Sequence, residues 1–354
     1  MNYFTFKDLK SEICNLTNLV ELNHDEGSII ISEYGGRVLG LFPLINEYSL
    51  LWINPSIKSS IESKDFLIGG ERYWISPERT YFYKDPENFK EWFCPNGIDP
   101  ANYVITKSSQ NECILASKIS LINQFNKERY NGEITRKIRL INEPINIGLN
   151  YIGIEIIEDC IVDVQNIEMN GWSLAQCITG GANSPGTVLI PTKTNPKLLS
   201  YFRIIPDDRR EIGENYIAFK IDAADIYKLA VRPEDIDFNR SAKIGYFLKI
   251  PNSDKYGFLI KLSDDIPKNQ DQCFDVARDR HDSERGVIQS YNDESSSPSI
   301  VSFGEIELQL NSFTTWKNGS RSTAKHELFG YIGEKEEIFD VIAKYLGINN
   351  PKIY

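Results

Sequence analysis

Most of the chain is made of short runs of β-branched, aliphatic and aromatic residues. From Ser28 onward these runs are separated by turn residues such as Gly35-Gly36 and Pro43. Such side chains pack well on a pleated surface, and short runs bounded by Gly, Pro and Asn indicate strands joined by turns. The pattern predicts strands over residues 28–32, 37–42, 49–53, 113–123, 132–142, 150–157, 161–167, 173–178, 187–191, 216–221, 242–249, 256–262 and 303–310.

Two segments outside these runs have helical spacing. In residues 4–18 the side chains of Phe6, Leu9 and Ile13 fall on one face, which predicts a short N-terminal helix. Residues 335–346 also place their apolar side chains on one face, and Gly347 follows where a left-handed C-cap favours glycine. The pattern therefore predicts a short C-terminal helix.

Long helices of the kind that connect parallel strands are missing from the pattern. This argues against doubly wound and TIM-barrel architectures and favours antiparallel sheets. Neither a repeat nor a linker interrupts the strands, and large β-sandwiches can exceed roughly 200 residues as one domain. We therefore predict an all-β chain, one large antiparallel β-sandwich that forms a single domain over residues 1–354.

Two stretches do not follow the strand pattern. Residues 77–102 are aromatic, punctuated by proline and without periodicity; a loop of this length in a compact protein commonly packs over a functional site. We expect it to cover one sheet face. Residues 279–299 are polar and rich in serine near their end, which predicts a mobile loop.

The net charge and the N-terminal residues limit the classes of partner that we expect. The formal net charge is −11 and Lys and Arg do not cluster, which disfavours nucleic acid as a partner. Residues 1–8 lack a basic segment followed by an apolar one, and no apolar run of about 18 residues occurs. We expect a cytoplasmic protein without a membrane partner; its oligomeric state stays open.

Signatures of cofactor and metal sites are also missing. The six cysteines are scattered, without a C-x-x-C pair or histidines at metal-ligand spacing. Phosphate-binding loops, dinucleotide fingerprints and nucleophile elbows do not occur. We predict reduced thiols, no metal and no cofactor.

Three spans carry candidate binding chemistry. In residues 303–310, Glu305, Glu307 and Gln309 share one face of a strand, and that face either meets water or supplies a base and an amide to a concave sheet. Arg72, Trp74 and Glu78 lie close together, as do Trp172 and Gln176. Aromatic faces beside charged and amide groups suit a sugar, although a core tryptophan with a structural ion pair explains both spans nearly as well.

The chain has only three histidines. His24, His281 and His326 each lie beside charged residues, where a solvated or locally hydrogen-bonded imidazole is the expected state. His281 lies in a charged loop before a strand and is the one kept as a catalytic candidate.

In order along the chain, several short spans resemble the galactose mutarotase-like, or aldose 1-epimerase-like, β-supersandwich superfamily, with a bacterial branch as the closest match. The likeness extends from about Gly35 to Gln309. It is carried by residues 35–41, 51–55, 69–74, 172–176, 185–191 and 305–309.

The resemblance implies a small carbohydrate ligand and chemistry at the anomeric centre. Active members use a late-strand glutamate as base and a histidine as acid, so Glu307 is the expected base. The span from Trp172 to Gln176 has no histidine where active members carry their acid, and His281 is the candidate substitute. Arg72, Trp74, Glu78, Trp172, Gln176 and Gln309 are the expected substrate-binding residues.

Three functions follow from these expectations. The first is an aldose 1-epimerase-like isomerase such as a mutarotase, and the second is a non-catalytic carbohydrate-binding protein on the same scaffold. The third is glycoside cleavage, which requires two carboxylates across the scissile bond, with Glu78 and Glu305 as candidates.

Overall fold

The computed structural model describes residues 3–278, 284–296 and 301–354. Within these ranges the α-helices are short: α1 Phe6–Ile13, α2 Ile57–Glu62, α3 Glu78–Phe82 and α4 Lys335–Leu346. Helix α1 begins at Phe6 because Thr5 and Asp8 form a capping box. Helix α4 has the predicted bounds and ends at Gly347, whose φ of 69° is left-handed. No helix of the described residues is long and apolar enough to span a membrane.

Strands dominate the structure. In chain order they are β1 Leu19–His24, β2 Gly27–Ser32, β3 Arg37–Phe42, β4 Glu71–Ser76, β5 Tyr83–Asp85, β6 Lys90–Trp92, β7 Val104–Ser108, β8 Glu112–Ile122, β9 Arg129–Leu140, β10 Asn150–Val162, β11 Asn170–Cys177, β12 Gly186–Pro191, β13 Leu198–Ser200, β14 Arg210–Ile212, β15 Tyr216–Ile221, β16 Ala224–Val231, β17 Ala242–Lys249, β18 Tyr256–Ser263, β19 Ile288–Glu294, β20 Gly304–Ser312, β21 Thr314–Trp316 and β22 Gly319–Gly333.

Two large antiparallel sheets contain most of these strands. The first has nine strands in the order β1-β2-β3-β4-β11-β20-β19-β16-β13, and the second has eleven in the order β14-β15-β12-β17-β18-β22-β10-β9-β8-β7 with β21 beside β22. Apolar side chains of both sheets, such as Ile75 of the first and Ile138 and Ile156 of the second, belong to one buried cluster. The all-β antiparallel prediction is confirmed.

Some predicted elements are wrong. Residues 49–53 form isolated bridges, Leu51 with Cys177 and Ile53 with Gly69, rather than a strand. No separate strand covers residues 161–167, because β10 continues to Val162 and then ends. The segment predicted as a mobile loop contains strand β19, while residues 279–283 and 297–300 lie outside the described ranges.

The aromatic stretch of residues 77–102, which follows β4, lies where the sequence predicts. Helix α3 and the two-stranded sheet of β5 and β6 form much of it. Its residues Glu78 and Trp92 line a cavity together with side chains of the nine-stranded sheet. The stretch therefore covers one face of that sheet, as expected.

Candidate functional site

A cavity of about 380 Å³ lies on the face of the nine-stranded sheet that points away from the second sheet. Side chains alternate along a strand, so Glu71 points inward to Arg136 of β9 while Arg72 and Trp74 point outward. Strands β11, β20, β19 and β16 add further residues, and loops close the rim. These other side chains include Trp172, Gln176, Lys228, Tyr291, Asp293, Glu305, Glu78, Trp92, Phe202 and Arg278.

An alternating chain of charges holds Arg72 in place. Its Nη2 lies 2.7 Å from Oε1 of Glu305, and its guanidinium lies 4.3 Å from the centre of the Trp74 ring. Behind it, Oδ2 of Asp99 accepts hydrogen bonds from Arg37 Nη2 at 2.6 Å and from Trp74 Nε1 at 2.8 Å. Among the described residues, Nε and Nη1 of Arg72 have no hydrogen-bond partner, although Nε lies 4.0 Å from Oδ2 of Asp99. Arg72 is thus fixed while two donor atoms stay available.

Glu307 lies in the floor below the cavity. Its Oε2 accepts a hydrogen bond from Trp172 Nε1 at 3.0 Å and lies 3.1 Å from Nζ of Lys228. Its Oε1 has no hydrogen-bond partner in the described parts of the chain. Burial raises the pKa of Glu307 to about 7, against the opposing effect of Lys228 and with a further increase from Glu305. A carboxyl with this pKa can gain or lose a proton near neutral pH.

Two amide side chains were predicted to bind substrate, and they differ. Gln176 lines the cavity with 1% of its surface exposed, and neither its Oε1 nor its Nε2 has a hydrogen-bond partner among the residues that the structure describes. Gln309 is fully buried; its Oε1 accepts a short hydrogen bond from Ser76. It does not line the cavity. Gln176 is therefore the amide that faces the cavity, and Gln309 supports the floor.

The covering loop adds a carboxyl and an aromatic ring. Oε1 of Glu78 accepts a hydrogen bond from Trp92 Nε1 at 2.8 Å. Burial raises the pKa of Glu78, although the charges of Lys228 and Arg278 oppose this. Arg278 in turn lies 3.6 Å from the centre of the Phe202 ring.

The structure brings most predicted site residues to this cavity. Arg72, Trp74, Glu78, Trp172 and Gln176 line it, Glu307 lies just below, and His281 is outside the described residues. Sequence reasoning missed Lys228, Asp99, Arg278 and Trp92. Of these four, Lys228 alone has a local signal in the sequence, because it is a charged residue in the otherwise apolar second half of β16.

A second buried cluster of charges lies between the two sheets. Arg136 binds both Glu158 and Glu71, with Nη2 at 2.7 Å from each. His326 Nε2 lies 3.2 Å from Glu158, so this histidine is buried in the interior and the solvated alternative is wrong for it. Burial lowers the pKa of Lys261, 3.6 Å from Glu71, to about 8.

The same cluster has the spacing of a metal site. Ligand atoms of Glu71, Glu158 and His326 lie within 4.8 Å of one another. However, the guanidinium of Arg136 already supplies a cation to both carboxylates. The donor set therefore suits the arginine better than an added ion.

The model of a family described as a family of unknown function (DUF6786) matches residues 5–354. The chain belongs to this family. No curated protein matches this member of DUF6786.

Solved structures similar to the DUF6786 chain include three epimerase-like proteins. A candidate aldose 1-epimerase from Escherichia coli K12 is 8% identical, with 90% of this chain and 99% of that chain covered and a TM-score of 0.49. An aldose epimerase homologue from C. elegans is 8% identical, with 90% and 99% covered and a TM-score of 0.41. A galactose 1-epimerase from Lactobacillus acidophilus is 11% identical, with 89% and 95% covered and a TM-score of 0.42. The resemblance stated from the sequence names the same group of proteins.

Proposed function

We propose that the cavity binds a small carbohydrate. The observation that carries this proposal is the set of buried polar atoms without partners, Oε1 and Nε2 of Gln176 and Nη1 of Arg72. Buried polar groups nearly always have hydrogen-bond partners, so these atoms suit a ligand that both donates and accepts. A hydroxyl does both, and a sugar supplies several hydroxyls at fixed spacing.

The walls of the cavity suit the apolar faces of the same ligand. The rings of Trp74 and Trp172 meet edge to face with centres 5.8 Å apart, and Trp92 at the rim is 40% exposed. Aromatic rings pack against the C–H faces of a sugar while polar groups bind its hydroxyls. The combination supports a sugar over a purely apolar ligand.

A reaction at the anomeric centre is consistent with Glu307. Its pKa of about 7 lets it accept the proton of the anomeric hydroxyl. The carbonyl then forms at C1 as the bond from C1 to the ring oxygen breaks, and the ring oxygen takes a proton from a general acid or from water. Its unpartnered Oε1 is the atom for this role. We assign Glu307 as the base of an aldose 1-epimerase-like reaction.

Two observations favour other functions. Glu307 has no exposed surface and its Oε2 is held by Trp172 and Lys228, which fits a binding protein in which this carboxylate has only a structural role. Glu78 and Glu305 both line the cavity, which fits cleavage of a glycoside between two carboxyls. Turnover assays separate the three.

The experiment combines a thermal-shift screen of mono- and disaccharides with polarimetry on every sugar that binds. A ligand that binds only the folded state raises its apparent stability. We expect Arg72→Ala to abolish binding and Glu307→Gln to keep binding but lose mutarotation, whereas the exposed Arg129→Ala serves as the matched control. Binding without mutarotation in the wild type would support the non-catalytic function, and release of a free sugar from a disaccharide would support the glycosidase.

A folded Glu307→Gln variant with undiminished mutarotation would contradict the assignment of the base. A wild-type protein that no sugar stabilises would contradict the proposed function as a whole.

A further inference from the structure

Two carboxylates share one end of the cavity. Glu305 of β20 and Tyr291 of β19 are neighbours in the sheet, and Asp293 follows on β19. Oε1 of Glu305 pairs with Arg72. Oxygens of Asp293 accept hydrogen bonds from the hydroxyls of Tyr291 and Ser302, and Asp293 forms no ion pair with a described residue. This end of the cavity therefore has two carboxylates and one paired cation.

Burial makes the excess of negative charge from Asp293 and Glu305 unfavourable. Burial raises the pKa of Asp293, the hydroxyls of Ser302 and Tyr291 oppose the change, and the charge of Glu305 raises it further. Two like charges in a partly buried site repel each other unless a cation lies between them. A positive group on a ligand would supply that cation.

The walls around this end are also suited to a cation. Phe303 and Tyr291 both line the cavity, with ring centres 6.2 Å apart, and Phe303 packs on Trp52 at 4.7 Å. Ring faces attract cations through their quadrupole. Lys228 pairs with Glu307 and, together with Arg278, opposes the charge of Glu78. Among the described residues, neither of these cations forms an ion pair with Asp293 or Glu305.

The amide of Gln176 indicates which group of the ligand lies next to its positive charge. Gln176 and Tyr291 lie on either side of Glu305 in the sheet, and both amide atoms of Gln176 lack partners. A ligand at this end thus meets carboxylates and a free amide at neighbouring positions. An ammonium with a hydroxyl on the adjacent carbon satisfies both.

We propose that the cavity selects a sugar with a free amino group, its ammonium bound by Asp293 and Glu305 and its neighbouring hydroxyl bound by Gln176. This inference rests on the proposed function, because it names the class of sugar bound at the same site. It requires no chemical step beyond binding.

The test is calorimetric titration with three sugars that differ at one substituent: glucosamine, glucose and N-acetylglucosamine, with the galactose series in parallel. At neutral pH we expect the free amine to bind about tenfold more tightly than the other two, as for a charge-assisted contact. Equal or weaker binding of the amine, while glucose binds, would overturn the inference and leave the proposed function intact. If none of these sugars bound and the wider panel also failed, the proposed function itself would be wrong.

Two variants test whether Asp293 causes the preference for the amino sugar. Asp293→Asn keeps the shape and removes the charge, so the ratio of glucosamine to glucose affinity should fall toward one. Glu294→Gln removes the adjacent, exposed carboxylate of the same strand and should keep the wild-type ratio. Circular dichroism checks that both variants fold, and an unchanged ratio in folded Asp293→Asn would overturn the inference.

Discussion

Asp99 shows how one residue outside the sheet controls the cavity. The covering loop brings its carboxylate to 2.6 Å from Arg37, 2.8 Å from Trp74 Nε1 and 4.0 Å from Arg72 Nε. Arg37 is 1% exposed and has no other carboxylate partner among the described residues. Asp99 therefore links the loop to the two side chains that we expect to hold the sugar.

We predict that Asp99→Asn destabilises the fold and weakens sugar binding. Removing one partner of a buried ion pair leaves the other charge uncompensated, which costs about 3 kcal/mol. Urea unfolding measures the loss, and the thermal-shift screen measures the binding. The exposed Glu62→Gln is the control, and an unfolding free energy within about 0.5 kcal/mol of wild type would contradict the role of Asp99.

At the scale of elements, the strands that the sequence predicts best are rich in apolar and β-branched residues. Runs such as Arg37–Phe42, Tyr216–Ile221 and Ala242–Lys249 have the predicted bounds because apolar and β-branched residues dominate them. Strand β22 was missed although it is fifteen residues long, since its inward positions include Ser320, Ser322 and His326. The side chains of Ser320 and Ser322 donate to the carbonyl oxygens of Val164 and Asn311, and His326 contacts Glu158. No local pattern shows these contacts.

The residues of the candidate site also differ in whether the sequence could predict them. Closeness in sequence grouped Arg72 with Trp74 and Trp172 with Gln176, and these four residues line the cavity. Period-two alternation grouped Glu305 with Glu307 and Gln309. The same alternation could not rank Glu305, which reaches the cavity, against Glu307, which lies below it. Lys228 and Asp99 join the site only through sheet order and loop closure, which sequence spacing does not show.

The entry to β4 depends on two glycines at positive φ. Gly69 and Gly70 have φ of 98° and 81°, and a Cβ on Gly70 would lie 2.5 Å from the carbonyl oxygen of Val38. The close approach places β4 beside β3, and Arg72 and Trp74 follow directly on that strand.

We predict that Gly70→Ala costs clearly more stability than Gly148→Ala. Gly148 has φ of 82° and open space around it, so alanine there adds backbone strain alone, on the order of 1 kcal/mol. At Gly70 the same strain is joined by a backbone clash that must move β4. Equal unfolding free energies for the two variants would show that the close approach to Val38 is unimportant.

At the scale of the whole molecule, the two sheets meet through charge as well as apolar packing. Glu71 of the first sheet faces Arg136, Lys261 and His326 of the second, directly behind the strand that carries Arg72. Within residues 3–278, 284–296 and 301–354, Nζ of Lys261 has no hydrogen-bond partner. The fold thus encloses a lysine whose charged form is poorly compensated.

We predict that this lysine makes stability depend on pH. Its pKa is about 8 in the fold and about 10.4 when unfolded, so the unfolded chain binds more protons between these values. The Lys261 contribution to stability therefore rises as pH increases through this window, by an amount on the order of 3 kcal/mol in full.

Comparison with Lys261→Met isolates this effect, because every other titrating group is shared. The lowered pKa means that the fold disfavours the charged lysine even beside Glu71, and Glu71 keeps its ion pair with Arg136 when Lys261 is replaced. We therefore expect the variant to be the more stable protein at pH 7. Its advantage should shrink as pH rises toward 10, since the wild-type lysine loses its charge. Urea unfolding at several pH values tests this against the exposed Lys118→Met, and an advantage that does not change with pH would show that Lys261 does not titrate in this range.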